Sequence, residues 1–132
     1  MTSAQATLNK PFLTTHVLDT SIGRPAANLK IELFVLTSTD AQTKEPCWEL
    51  LGAGSTNKDG RLVNSIYPLE KNEFEAATYR LRFHTSSYFS SQQVKGFYPW
   101  ADVVFEIDSD TTEHYHVPLL LNPFGYSTYR GS

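Results

Sequence analysis

The sequence predicts an all-β sandwich of about eight strands in two sheets, with one short helix. Three observations carry that prediction. Apolar residues recur at every second position in most segments, the period of a half-buried strand. Turn-forming residues interrupt those segments at sandwich-like spacing. Only Ser86–Val94 has the makings of a helix, with Thr85 or Ser86 as its N-cap. With 132 residues the chain suits one domain and can bury roughly two-thirds of its unfolded surface.

The elements follow in order. Residues 1–10 are polar and are expected to be a disordered extension, with the domain spanning 11–132. Phe12–Leu18 alternates, with Leu13, Thr15 and Val17 on one face and Thr14, His16 and Leu18 on the other. Asp19–Pro25 is turn chemistry. Leu29, Ile31, Leu33 and Val35 mark a second strand, Thr37–Pro46 reads as a polar loop, and Trp48–Ser55 as a third strand. Asn57-Lys58-Asp59-Gly60 is a hairpin turn that sets Arg61 at the mouth of a short strand. Thr78–His84 places Tyr79, Leu81 and Phe83 on one side. The helix ends at Gly96-Phe97-Tyr98-Pro99, and Ala101, Val103, Phe105 and Ile107 alternate after it. His114–Leu121, a turn at Asn122–Gly125 and a last strand through Tyr129 complete the chain.

Charge and composition exclude several classes. The net charge is −3 and no basic patch exists, so nucleic acid is not an expected partner. No apolar run approaches the ~18 residues of a membrane span. The opening residues lack the hydrophobic region of a secretory signal. The single cysteine, Cys47, has no intrachain disulfide partner and reads as a small, half-buried strand residue. A reducing, cytoplasmic setting is expected, with a peroxisomal one as the alternative. The last three residues, Arg130-Gly131-Ser132, are not a Ser-Lys-Leu peroxisomal signal.

The outward face of two strands is unusual. Val117, Leu119 and Leu121 face a core, whereas His114, His116, Pro118 and Leu120 share the opposite face. A face turned to water would be mostly polar, and this one becomes apolar towards its end. Leu18 shares a face with His16 in the same way. Such a surface points to packing on another subunit, with a site lined by His16, His116 and Tyr129 between subunits.

Four histidines are available: His16, His84, His114 and His116. Imidazole titrates nearest neutrality and serves as acid or base. His114 and His116 are half of a zinc pattern, but no third ligand stands at a convincing spacing, so no metal is expected. His84 reads as structural. Arg61 is either a solvent-exposed strand-start residue or a planar donor fork for an anionic or carbonyl-rich ligand. Ser127 and Ser132 lie in no nucleophile-elbow motif. The chain closes on Tyr129-Arg130-Gly131-Ser132, a phenol and a guanidinium directly after an apolar strand and a turn.

Taken together, these segments resemble the 5-hydroxyisourate hydrolases, transthyretin-related enzymes of urate breakdown. The resemblance rests on Leu13-Thr14-Thr15-His16-Val17-Leu18-Asp19 with Gly23-Arg24-Pro25-Ala26, on Asn57-Lys58-Asp59-Gly60-Arg61, and on Tyr126–Ser132 with its terminal tetrapeptide. It implies a transthyretin-like β-sandwich that assembles as a homotetramer with active sites at the dimer–dimer contact. It also implies that His16, Arg61 and His116 are catalytic. Tyr129, Arg130, Gly131 and Ser132 would bind substrate with His16 and Arg61, and no metal or organic cofactor would take part. The implied reaction opens the ring of 5-hydroxyisourate to 2-oxo-4-hydroxy-4-carboxy-5-ureidoimidazoline. The alternative is a transthyretin-like small-molecule carrier. In the family, carriers lack the His, Arg, His and Tyr-Arg-Gly-Ser set.

Overall fold

The computed structural model describes residues 13–62, 75–108 and 114–132. Among the described residues, ten strands and one helix run in the order β1 (Leu13–Thr14), β2 (Val17–Asp19), β3 (Arg24–Pro25), β4 (Lys30–Thr39), β5 (Pro46–Ser55), β6 (Ala77–Phe83), α1 (Thr85–Ser91), β7 (Ala101–Ile107), β8 (Tyr115–His116), β9 (Leu119–Asn122) and β10 (Gly125–Thr128). One sheet has the order β5-β4-β6-β7, all antiparallel. A second has the order β10-β9-β2-β3, and β1 pairs with β8 beside it.

Those last two ladders are one sheet with a break. Leu13 pairs with Tyr115 and Thr14 with His116; Val17 then pairs with Leu119 and Asp19 with Leu121, all parallel and at the same offset. Backbone bonds from Val117 to the Thr14 carbonyl and from Leu119 to the His16 carbonyl, both 2.9 Å, bridge the gap. The expected strands Phe12–Leu18 and His114–Leu121 are therefore each divided. Pro118, which has no N–H to give to a ladder, sits at the second break. The strand expected after Arg61 and the extension 1–10 fall outside the described residues, as does most of the link from β7 to β8.

The alternation is carried into the core. Leu13, Val17, Leu29, Ile31, Leu33, Tyr79, Leu81, Phe83, Ala101, Val103, Ile107, Val117, Leu119 and Leu121 are buried in one cluster drawn from both sheets. Each is an inward position of the sequence pattern. Several boundaries differ from expectation. Thr37–Thr39 extend β4 and Pro46 opens β5, so the polar loop shrinks to Asp40–Glu45. The threonines suit an extended hairpin arm, and register shifts near Leu33 and Leu36 let the arm outrun the core. Cys47 lies on that arm and is exposed rather than half-buried. Arg24–Pro25 pair back on β2, so the turn proper is Thr20–Gly23, closed by Gly23 at φ 64°. The helix begins at Thr85, with His84 at the N-cap position and no side-chain cap.

Candidate active site

The backbone lays the expected site residues in a row across the broken sheet. His16 makes an antiparallel bridge to Arg61, and His116 makes one to Gly131. His16 and His116 stand on neighbouring strands, since the stretch from β1 to β2 runs beside β8 and β9. The order across the sheet is thus Arg61, His16, His116, Gly131. At about 4.8 Å per strand these residues span roughly 14 Å across the sheet, in a stepped line, because His116 pairs with Thr14, two residues before His16. Both histidines are half-buried on the outward face, beside half-buried Leu18 and Leu120, as the period-2 pattern predicts.

Each histidine is backed by a glycine. Gly60, at φ 76°, ends the Asn57 turn, whose side-chain oxygen accepts from the N–H groups of Asp59 and Arg61. The Gly60 carbonyl accepts from Val17, 2.8 Å away. A Cβ at Gly60 would stand 2.4 Å from the Val17 carbonyl oxygen and 3.3 Å from His16 Cδ2. Gly131 donates to the His116 carbonyl at 2.9 Å. A Cβ there would stand 2.3 Å from His116 Cδ2. Real Cβ atoms do not approach that closely, so the His116 ring lies over space that only glycine leaves open.

Of the remaining tail residues, Tyr129 is exposed, and the Arg130 guanidinium stacks 4.8 Å from the centre of the Tyr115 ring. Ser132 is exposed. A cavity of about 230 Å³ is lined by His116, Tyr129 and Arg130 but not by His16 or Arg61, so it flanks the row rather than containing it. His84 bonds to Glu32 at 2.6 Å, away from the row and in keeping with a structural reading. Among the described residues no three His, Cys, Asp or Glu side chains converge as a metal site.

Electrostatics favour a neutral His116. Burial first, then the Arg61 guanidinium, then His114 and His16 lower its affinity for a proton, against a smaller opposing backbone bond at Thr14. The sign for stability follows. A histidine whose folded pKa is depressed favours folding above its unfolded value of about 6.5, and that contribution is lost as pH falls through the folded value. Titration followed by NMR should therefore place the His116 midpoint below that of an unfolded histidine. Arg61→Ala should raise it. A midpoint unmoved by that substitution would remove Arg61 from the neighbourhood of His116.

Sequence reasoning passed over Thr14. Its Oγ1 lies 2.9 Å from His116 Nδ1 and 3.0 Å from His114 Nε2. The signal was available, since Thr14 shares the outward face with His16. It also passed over Gly60 as more than a turn residue.

A β-sandwich with an imidazole–guanidinium row on its outward sheet face defines a class of fold and site. The profile of the HIUase/transthyretin family matches residues 13–131, and the chain belongs to that family. It is 47% identical over 124 residues to 5-hydroxyisourate hydrolase 2 of Rhizobium meliloti, covering 91% of this chain and 95% of the relative. The solved structure of Klebsiella pneumoniae 5-hydroxyisourate hydrolase matches with a TM-score of 0.71 and 30% identity, over 93% of this chain and 100% of that one. Transthyretin from Sparus aurata matches with a TM-score of 0.78 and 30% identity, over 92% of this chain and 97% of that one. The backbone alone therefore does not separate hydrolase from carrier.

Proposed function

We infer that this protein is a 5-hydroxyisourate hydrolase, opening the ring of that oxidised purine by hydrolysis of a cyclic amide bond in urate catabolism. The observation that carries the reading is the row Arg61, His16, His116, Gly131, assembled from three distant parts of the chain. The 47% identity to a hydrolase over nearly the whole chain supports it.

The chemistry follows from the row. Water attacking the amide carbonyl must lose a proton, and the leaving ring nitrogen must gain one. Two imidazoles on adjacent strands, one of them with its proton affinity lowered, supply a base and an acid. Arg61, paired with His16 along the backbone, stabilises the oxyanion that develops on the carbonyl. Tyr129 holds the planar ring, and Arg130 and Ser132 order the hydrogen bonds around it. None of these roles calls on a metal or an organic cofactor.

The same reading extends to assembly. The flanking cavity is smaller than the ~300–1,000 Å³ usual for small-molecule sites, and the outward histidine face carries half-buried Leu18 and Leu120. A second copy packed there would complete the walls, and the homotetramer implied by the resemblance would place a site at each such contact. Phe97 and Phe124 are 72% and 75% exposed, and Tyr98 packs edge-on against both Phe97 and Tyr126. This second apolar surface suits a further contact between copies. Among the described residues no helix is long and apolar enough to cross a membrane. A cytoplasmic location fits the reading.

The test generates 5-hydroxyisourate in situ from urate and urate oxidase and follows its absorbance. The intact protein should accelerate the decay, and Arg61→Ala should lower kcat by about 10²–10³-fold, the cost of one oxyanion donor. Decay no faster than the spontaneous rate, from protein shown to be folded and assembled, would return the carrier reading.

A further inference from the structure

The Thr14 hydroxyl sits between two imidazoles. It is 2.9 Å from Nδ1 of His116 and 3.0 Å from Nε2 of His114. The two rings are nearly parallel, 14° apart with centroids separated by 6.4 Å. Thr14 pairs directly with His116 in the parallel ladder, and His114 precedes His116 by two residues on the same face. His116 is half-buried and His114 is exposed.

A hydroxyl carries one proton, so between two ring nitrogens it donates to one and accepts from the other. Two arrangements result. In the first, His116 Nδ1–H donates to Thr14, and Thr14 donates to Nε2 of His114. Nε2 of His116 then holds a lone pair and is a base. In the second, His114 Nε2–H donates to Thr14, and Thr14 donates to Nδ1 of His116. Nε2 of His116 then holds the proton and is an acid. The tautomer of the half-buried ring is tied to the state of the exposed one.

We propose that His114, Thr14 and His116 form a proton relay that lets His116 change from base to acid without itself becoming a cation. This rests on the hydrolase reading and adds two positioning residues, His114 and Thr14, to it. As water attacks, Nε2 of His116 takes its proton. The Nδ1 proton of His116 passes to Thr14, and the hydroxyl proton of Thr14 passes to Nε2 of His114. One proton has moved from the attacking water to the His114 ring, and His116 is neutral in its other tautomer. As the ring nitrogen leaves, His116 gives it the Nε2 proton, Thr14 returns a proton to Nδ1, and His114 returns one to Thr14. Every proton is recovered, and no co-reactant is needed.

Charge placement gives the relay its purpose. His116 faces Arg61, His16 and His114, and the cavity on its flank is lined by Glu106 and Arg130. An imidazolium on this half-buried ring would stand near the Arg61 cation with less water around it than exposed His114 has, in line with the lowered proton affinity of His116. Moving the charge to exposed His114 puts it in solvent. Three features are needed together: imidazoles two apart in the chain, a hydroxyl opposite the second, and an orientation that leaves Nε2 of His116 for the reaction. The sequence pattern His114-x-His116, which elsewhere reads as half a metal site, has this use here.

The experiment compares the assembled wild-type protein with Thr14→Val, which keeps the shape and loses the hydroxyl, and Thr14→Ser, which keeps the hydroxyl. The ¹⁵N shifts of the His116 ring report its tautomer across a pH titration in the absence of substrate, and kcat and KM are measured on 5-hydroxyisourate. In the wild-type protein the His116 tautomer should follow the protonation of His114. In Thr14→Val it should not, and kcat should fall by about 10²-fold, the lower end for a proton-transfer group, with KM little changed. Thr14→Ser should recover both the coupling and most of kcat. A His116 tautomer that responds identically in wild type and Thr14→Val would overturn the relay. So would a Thr14→Ser protein as slow as Thr14→Val. An inactive wild-type protein would instead sink the hydrolase reading, while the substrate-free titration still decides whether the two rings are coupled.

Discussion

Removing Tyr129–Ser132 is expected to lower kcat/KM by about 10³-fold, within the range of losing a positioned proton-transfer group, and to leave the sandwich folded. The asymmetry comes from where these four residues sit. None belongs to the buried core, and the backbone bond from Gly131 to the His116 carbonyl is the tail's antiparallel link to the sheet. Unfolding therefore loses little when they go. What goes is Tyr129, which the proposed function sets against the substrate, and the backbone on which the His116 ring lies. Gly131→Ala makes the same point with one methyl group. Its Cβ would fall 2.3 Å from His116 Cδ2, so either the tail lifts from β8 or the ring turns away from Thr14. Either movement should cost most of the activity of the full truncation, with an unchanged melting temperature. Steady-state kinetics beside thermal melting decide it. A truncated protein within tenfold of wild type would show that the row needs no tail.

The fold was legible because strand alternation is local. Which face Leu33 or Leu81 takes depends on its immediate neighbours, and most inward positions read from sequence are buried, although Val35 and Phe105 are half-buried and Pro118, read as outward, is buried. The outward placement of His16 and His116 was legible for the same reason. What lay beyond sequence is set by pairing between distant segments. Thr14 meets His116 only because residues 102 apart are placed in register; the local pattern puts Thr14 on the outward face with His16 but does not name its partner. The breaks near Thr15 and Pro118 likewise arise from the match between two strands. Cys47 was misplaced because local pattern gives a strand its alternation but not its depth, and the outer part of β5 extends past the core. The roles of Arg61 and Gly131 came from resemblance. The structure bridges Arg61 to His16 and Gly131 to His116 along the backbone.

Asp19→Ala is expected to cost about 3 kcal/mol of stability, the sum of a lost turn network and a buried hydroxyl left without its acceptor. Asp19 is 2% exposed at the end of β2. One carboxylate oxygen accepts from the Ser21 backbone N–H at 3.0 Å and the Ser21 hydroxyl at 2.5 Å. The other accepts from the buried Tyr88 hydroxyl at 2.8 Å. Burial, and then this bond, hold the Tyr88 hydroxyl well above its ordinary pKa, so it remains a donor throughout the working range. Tyr88 lies on α1, which follows β6 of the other sheet. One carboxylate thus ties the strand that follows His16 both to its own turn and to the helix. For a chain of this length the loss should lower the melting temperature by roughly 10 °C. Tyr88→Phe should cost less, about 1–2 kcal/mol, because the carboxylate keeps its two Ser21 donors. The double variant should cost less than the two singles together, since each removes the other's partner. Urea denaturation of the four proteins closes the cycle. Strict additivity would mean that Asp19 and Tyr88 contribute independently, and that the strand following His16 is held to the helix by packing alone.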